Sequence, residues 1–130
     1  VHTILIIEDN CDILENLAEY LELVGFKILQ AHTGKQGVEL FTKYIPDLII
    51  CDIMMSEMNG YEVLKLLMDH VETNEIPFIF STSTVEKKDI EEALIIGADN
   101  LITKPYQLED LTLMIKDLIG SGSKRHNKVY

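Results

Sequence analysis

A doubly wound α/β domain, a parallel sheet with helices on both faces, is the fold class this sequence predicts. Three observations point to it. Five short apolar runs alternate with five segments of helical periodicity. The first, third and fourth runs are apolar on consecutive residues, as strands covered on both faces must be. And 130 residues, 47% of them hydrophobic, supply one substantial core rather than two.

The elements follow in order. Thr3–Ile7 opens as a strand, and Ile13, Leu17, Leu21 and Val24 then recur at three- and four-residue steps until Gly25 stops the helix. Lys27–Ala31 is the second strand, with a helix after Gly34 marked by Val38, Phe41 and Ile45. Leu48–Cys51 is the third strand; the turn at Asn59-Gly60 opens a helix carrying Val63, Leu66, Leu67 and Val71. Gly60 is expected to supply a positive φ there. Pro77–Phe80 and Leu101–Thr103 complete the strands. Their helices carry Ile90, Ala93, Leu94 and Ile96, ended by Gly97, and Leu108, Leu111, Ile115, Leu118 and Ile119. Residues 1–120 form the domain; 121–130, within the polar stretch GSGSKRHNKVY, read as a flexible tail or the start of a linker.

Composition narrows the function. Residues 1–120 hold eight basic against 22 acidic side chains, a net of −14, which disfavours direct contact with nucleic acid or anionic membranes. No apolar run approaches the roughly 18 residues of a membrane span, and no basic-then-apolar signal segment opens the chain. Val1 in place of Met fits an excised or processed piece. Cys11 and Cys51, without CxxC spacing or a histidine cluster, are expected to be reduced, buried and cytoplasmic. His2, His32, His70 and His126 match no motif, and Lys87-Lys88-Asp89 with Glu91-Glu92 reads as a solvated helix face.

In a parallel sheet all strands end on one edge, where open α/β proteins bind their ligands. Glu8 and Asp9 follow the first strand, Asp52 the third, Thr82 and Ser83 the fourth, Lys104-Pro105 the fifth. Taken singly, Asp9 and Asn10 are ordinary helix caps, Asp52 a turn former, Thr82 a strand-end hydroxyl and Lys104 a surface lysine. Their convergence changes the reading. Three carboxylates facing one lysine either raise a pKa or bind a divalent cation such as Mg²⁺. A carboxylate in that company can attack phosphorus, with cation and lysine holding the charge of the transferring group.

The stretches "IIEDN", "CDIMMSEMNGYE", "PFIFSTS" and "GADNLITKPY", in this order and spacing, resemble the response-regulator receiver domain of two-component signalling over about residues 3 to 120. The resemblance implies a flavodoxin-like sheet of order 2-1-3-4-5. It makes Asp52 the acceptor of a phosphoryl group from a phosphohistidine on a sensor kinase or phosphotransfer protein. It makes Asp9 a direct Mg²⁺ ligand, Glu8 a ligand through water, and Met54 a ligand by its backbone carbonyl. Thr82 becomes the hydroxyl that moves onto the phosphoryl group, Lys104 its cationic partner, and Pro105 a cis proline aiming Lys104 into the site. Such a domain is a switch controlling an output module or target, not a metabolic enzyme: it catalyses only its own phosphorylation and dephosphorylation. A homodimer through the fourth helix, fifth strand and fifth helix is compatible with the apolar Ile90, Leu94 and Ile95.

Three positions depart from the family's usual pattern. Glu8 replaces Asp, Ser56 replaces Pro, and Leu101 stands where many receivers carry an inward-swinging Tyr or Phe. Leu101 implies an altered readout at the fifth strand; Tyr106 is a different position. Met54 and Thr84 do not suit orienting an attacking water, which implies a long-lived phosphoaspartate. The competing reading is a degenerate receiver acting as a phosphorylation-independent binding module. A phosphoaspartate hydrolase lacks its DxD in "IIEDN", and an acidic first loop repels a flavin phosphate.

Overall fold

The computed structural model describes residues 1–69, 75–83 and 86–121. Its elements run β1 (Thr3–Ile7), α1 (Cys11–Val24), β2 (Lys27–Ala31), α2 (Gly34–Tyr44), β3 (Leu48–Asp52), α3 (Gly60–Met68), β4 (Phe78–Thr82), α4 (Lys87–Ile96), β5 (Asn100–Thr103) and α5 (Leu108–Ser121). The five strands are parallel in the order β2-β1-β3-β4-β5. Of the earlier readings, Val71, His70, His126, Thr84 and residues 122–130 of the tail lie outside the described residues.

Alternation along the strands builds two cores. Leu5, Ile7, Ile49, Cys51, Phe78 and Phe80 point to one face, where Phe41 of α2, Val63, Leu64 and Leu67 of α3, and Ala93 of α4 cover them. Ile4, Ile6, Leu48, Ile50, Ile79 and Ile102 point to the other, under Leu14, Leu17 and Leu21 of α1 and Leu111, Ile115 and Leu118 of α5. Two helices on one face and three on the other make the sheet doubly wound. β3 and β4 are buried at every residue, whereas the edge strands β2 and β5 are only partly covered.

Local signals set the helix ends. Asn10 caps α1, its side chain accepting from Ile13 N–H at 3.1 Å, and Gly25 closes it at φ 117°, a conformation a side chain would resist. Thr33 caps α2, and Asn59 with Glu62 forms a reciprocal capping box at α3.

Several expectations need correction. Gly60 does not take a positive φ; a Cβ there would stand 2.5 Å from the Asp52 carbonyl oxygen, so the glycine permits close approach of α3 to the end of β3. Cys11 is exposed at the first position of α1, while Cys51 is buried as expected. The buried stripe of α1 is Leu14, Leu17, Ala18 and Leu21, with Ile13 at its margin and Val24 exposed. Ile45 and Leu66 are exposed as well, and α4 fully buries only Ala93.

Candidate functional site

The sheet register brings the chemistry to one edge. Asp52 lies opposite Ser81, and Thr82 opposite Thr103. The ladder continues one residue further. Glu8 N–H donates to Ala31 O at 3.0 Å, Ile53 N–H to Ser81 O at 3.1 Å, and Lys104 N–H to Thr82 O at 2.7 Å. The backbone of the cluster is therefore held by the sheet itself.

Lys104 Nζ lies 2.6 Å from Glu8 Oε1 and 3.3 Å from Asp52 Oδ2. Glu8 also accepts the Asn10 N–H on Oε2 at 3.1 Å, so both its oxygens are engaged. Glu8 and Asp52 are 3% and 6% exposed, whereas Asp9 is exposed at the mouth. One carboxylate oxygen from each of Glu8, Asp9 and Asp52 lies within 4.8 Å of the other two. Thr82 is buried beside them, the Lys104-Pro105 bond is cis, and Met54 exposes 74% of its surface on the loop after β3. Met54 lines the loop, while Met55 and Met58 pack against the core. Leu101 is half-buried against the same core, and its aliphatic side chain has no hydroxyl to offer a partner. Glu57, in the loop where Ser56 stands, takes φ 67°, an uncommon conformation for a side-chain-bearing residue.

The electrostatics follow from this crowding. Burial and then the Glu8 charge push the Asp52 carboxyl from an ordinary 3.8 up to about 6, and Lys104 only partly offsets them. Burial disfavours the charge on Lys104, but the hydrogen bond to Glu8 and the field of Asp52 outweigh it and hold its pKa above the usual value. Cys51 beneath the site is pushed well up by burial, then by Asp52 and Glu8, and its thiol donates to Asp52 O at 3.3 Å. It is a packing residue with no accessible thiolate.

Two recesses flank the cluster. One of about 480 Å³ runs between α1 and the β5–α5 loop, lined by Ile13, Asn16, Leu17, Lys104 and Tyr106. The other, about 330 Å³, lies between the β3–α3 loop and α4, with Thr82 in its lining. Tyr106 and Tyr61, which line them, had no role in the sequence reading. Tyr61 follows Gly60 directly, and only the packing of α3 onto Phe80, ring centroids 5.4 Å apart, reveals where it stands.

A chain with this sheet and this acidic edge belongs to the response-regulator receiver domain family, whose model matches residues 4–116. The response regulator SaeR of Staphylococcus aureus is 34% identical over 125 residues, covering 96% of this chain and 54% of SaeR. The chain thus spans about half the length of the curated relatives it matches. The signal receiver domain of a signal transduction histidine kinase from Syntrophus aciditrophicus superposes with a TM-score of 0.86 at 33% identity, over 93% of this chain and 92% of that one. Chemotaxis protein CheY4 of Vibrio cholerae shares the fold at a TM-score of 0.86 and 22% identity, over 90% of this chain and 98% of that one. Among the described residues no helix is long and apolar enough to cross a membrane.

Proposed function

We propose that this receiver domain takes a phosphoryl group onto Asp52 from a phosphohistidine of a sensor kinase or phosphotransfer protein, and changes conformation in response. The observation that carries the reading is the clustering of Glu8, Asp9 and Asp52, with Lys104 paired to Glu8 and Asp52. An Asp52 carboxylate oxygen attacks phosphorus as the P–N bond breaks, and the bonding pair leaves with the imidazole nitrogen. Lys104, already beside Asp52, holds the charge of the transferred group, and the Thr82 hydroxyl donates to one of its oxygens.

The donor set fits a hard divalent cation: all oxygen, on strand ends and loops, and carrying more negative charge than Lys104 offsets. Both Glu8 oxygens are engaged, which favours Asp9 and Asp52 as direct Mg²⁺ ligands, with Glu8 acting through water and Met54 by its carbonyl. A cation bound there supplies neutralisation of the phosphoryl oxygens.

Downstream, the reading is a cytoplasmic switch whose output module or target responds to α4, β5 and α5. Ile95 and Leu113 on those helices are 84% and 68% exposed, which supports a homodimer or partner surface there. Leu101 in place of an aromatic ring weakens the readout through β5, leaving Thr82 to carry it. Nucleic-acid contact is left to any output module, since this body is acidic.

The test is the intact mass of the protein after incubation with a small phosphodonor, with and without Mg²⁺. A Mg²⁺-dependent phosphoryl adduct absent from Asp52→Asn is expected. Tight Mg²⁺ binding with no adduct from either a small donor or a phosphohistidine protein would sink the reading.

A further inference from the structure

The recess between the β3–α3 loop and α4 is not needed by the phosphotransfer reading, and its walls differ in kind from the acidic cluster. Ile53, Met54 and the Tyr61 ring form an apolar and aromatic wall, Thr82 closes the floor, and Asp89 and Glu92 of α4 stand at the rim. Tyr61 packs against Phe80 in a T-shaped contact, ring centroids 5.4 Å apart. Asp89 and Glu92 share the lining of this recess with Tyr61, and burial, then these two charges, raise its phenol pKa. Glu92 has no ion-pair partner among the described residues, and Lys87 of α4 pairs with Glu91 at 3.8 Å. The volume of about 330 Å³ has room for a long side chain.

We infer that this recess is a docking pocket for an arginine side chain of a partner protein. An aromatic face with two carboxylates at its edge matches a guanidinium, which stacks on rings and pairs with carboxylates in its own plane. A purely apolar side chain would leave the rim carboxylates beside a dehydrated surface, and an anion would be repelled by them. The surrounding body, at a net −14 over residues 1–120, steers a basic segment toward it. Because Met54 and Thr82 border both this recess and the Asp52 site, occupancy is sensed where the acceptor lies, although docking does not depend on phosphorylation.

The experiment is a titration of the full chain, carrying labelled methionine methyls and amides, with acetyl-Leu-Arg-Leu-amide and with its citrulline twin, which keeps the shape and loses the charge. The arginine peptide is expected to shift Met54, Tyr61 and Glu92 together, and the citrulline peptide to leave them in place. Asp89→Asn with Glu92→Gln weakens the response about tenfold, the sum of two partly exposed charge contacts. Tyr61→Leu, read separately, weakens it without changing net charge. Equal shifts from both peptides overturn the assignment. So do arginine-induced shifts centred on Glu8 and Asp9, or a response indifferent to both variants.

Discussion

Asp52 is the residue on which geometry and titration meet. Its carboxyl is raised to about 6 from 3.8, so between these values the folded state holds more protons than the unfolded one. Stability from this group is therefore present below the lower value and is lost as pH climbs through about 6. In metal-free buffer at pH 7.5, Asp52→Asn should be more stable than wild type by about 1–2 kcal/mol. Chemical denaturation repeated toward pH 4 should show that advantage shrinking; an advantage constant with pH would remove burial of the charge as its cause. Lys104→Met acts in the other direction. It leaves Glu8 and Asp52 buried without their cation and costs about 3 kcal/mol at pH 7.5, read by the same denaturation. Residues of this kind were legible in the sequence because Glu8, Asp9, Asp52, Thr82 and Lys104 each follow or end a strand, and parallel strands end together. Which carboxylate Lys104 would grip was not legible. That depends on side-chain reach, and Glu8 is nearer than Asp52.

Among the elements, the junction of β3 and α3 is the most demanding. Gly60→Ala would drive a Cβ to 2.5 Å from Asp52 O and 2.9 Å from Ile53 Cα, both backbone atoms that cannot yield without moving the acceptor. A loss of about 2–4 kcal/mol is expected, together with slowed phosphorylation. Gly120→Ala, with open space around its Cβ, should instead gain about 0.5 kcal/mol. Equal effects at the two glycines, measured by thermal and urea unfolding, would refute steric closeness as the reason for Gly60. β1, β3 and β4 were readable nearly to the residue because consecutive apolar positions mark double-sided burial. Helical faces were not: the series Ile13, Leu17, Leu21, Val24 drifts around α1, whereas the core meets Leu14, Leu17, Ala18 and Leu21. Sequence spacing defines a stripe, but the neighbouring sheet selects its centre. The role of Gly60 was misread for a related reason, since a glycine before a helix signals a turn and a close approach equally well.

At the scale of the whole molecule, the parallel sheet acts as a frame that holds five side chains from the ends of four strands at one edge, on a body of net −14 over residues 1–120. Such a body repels itself. Raising NaCl in metal-free buffer should increase the melting temperature, while Mg²⁺ should do so at far lower concentration through the acidic cluster. Loss of the Mg²⁺ effect in Asp9→Asn, with the NaCl effect retained, separates the site from the general field. What the sequence could not reveal is the recess beside α4, because Tyr61, Asp89 and Glu92 come together only when α3 and α4 pack on one face. The proposal that Asp52 is the acceptor is tested most directly by locating the phosphoryl group. Phosphorylated protein would be treated with borohydride, which reduces an acyl phosphate to the alcohol, then digested and sequenced by mass. Conversion of Asp52 to homoserine is expected, with Glu8 and Asp9 unchanged; a reduced residue anywhere else, with Asp52 intact, would refute the assignment.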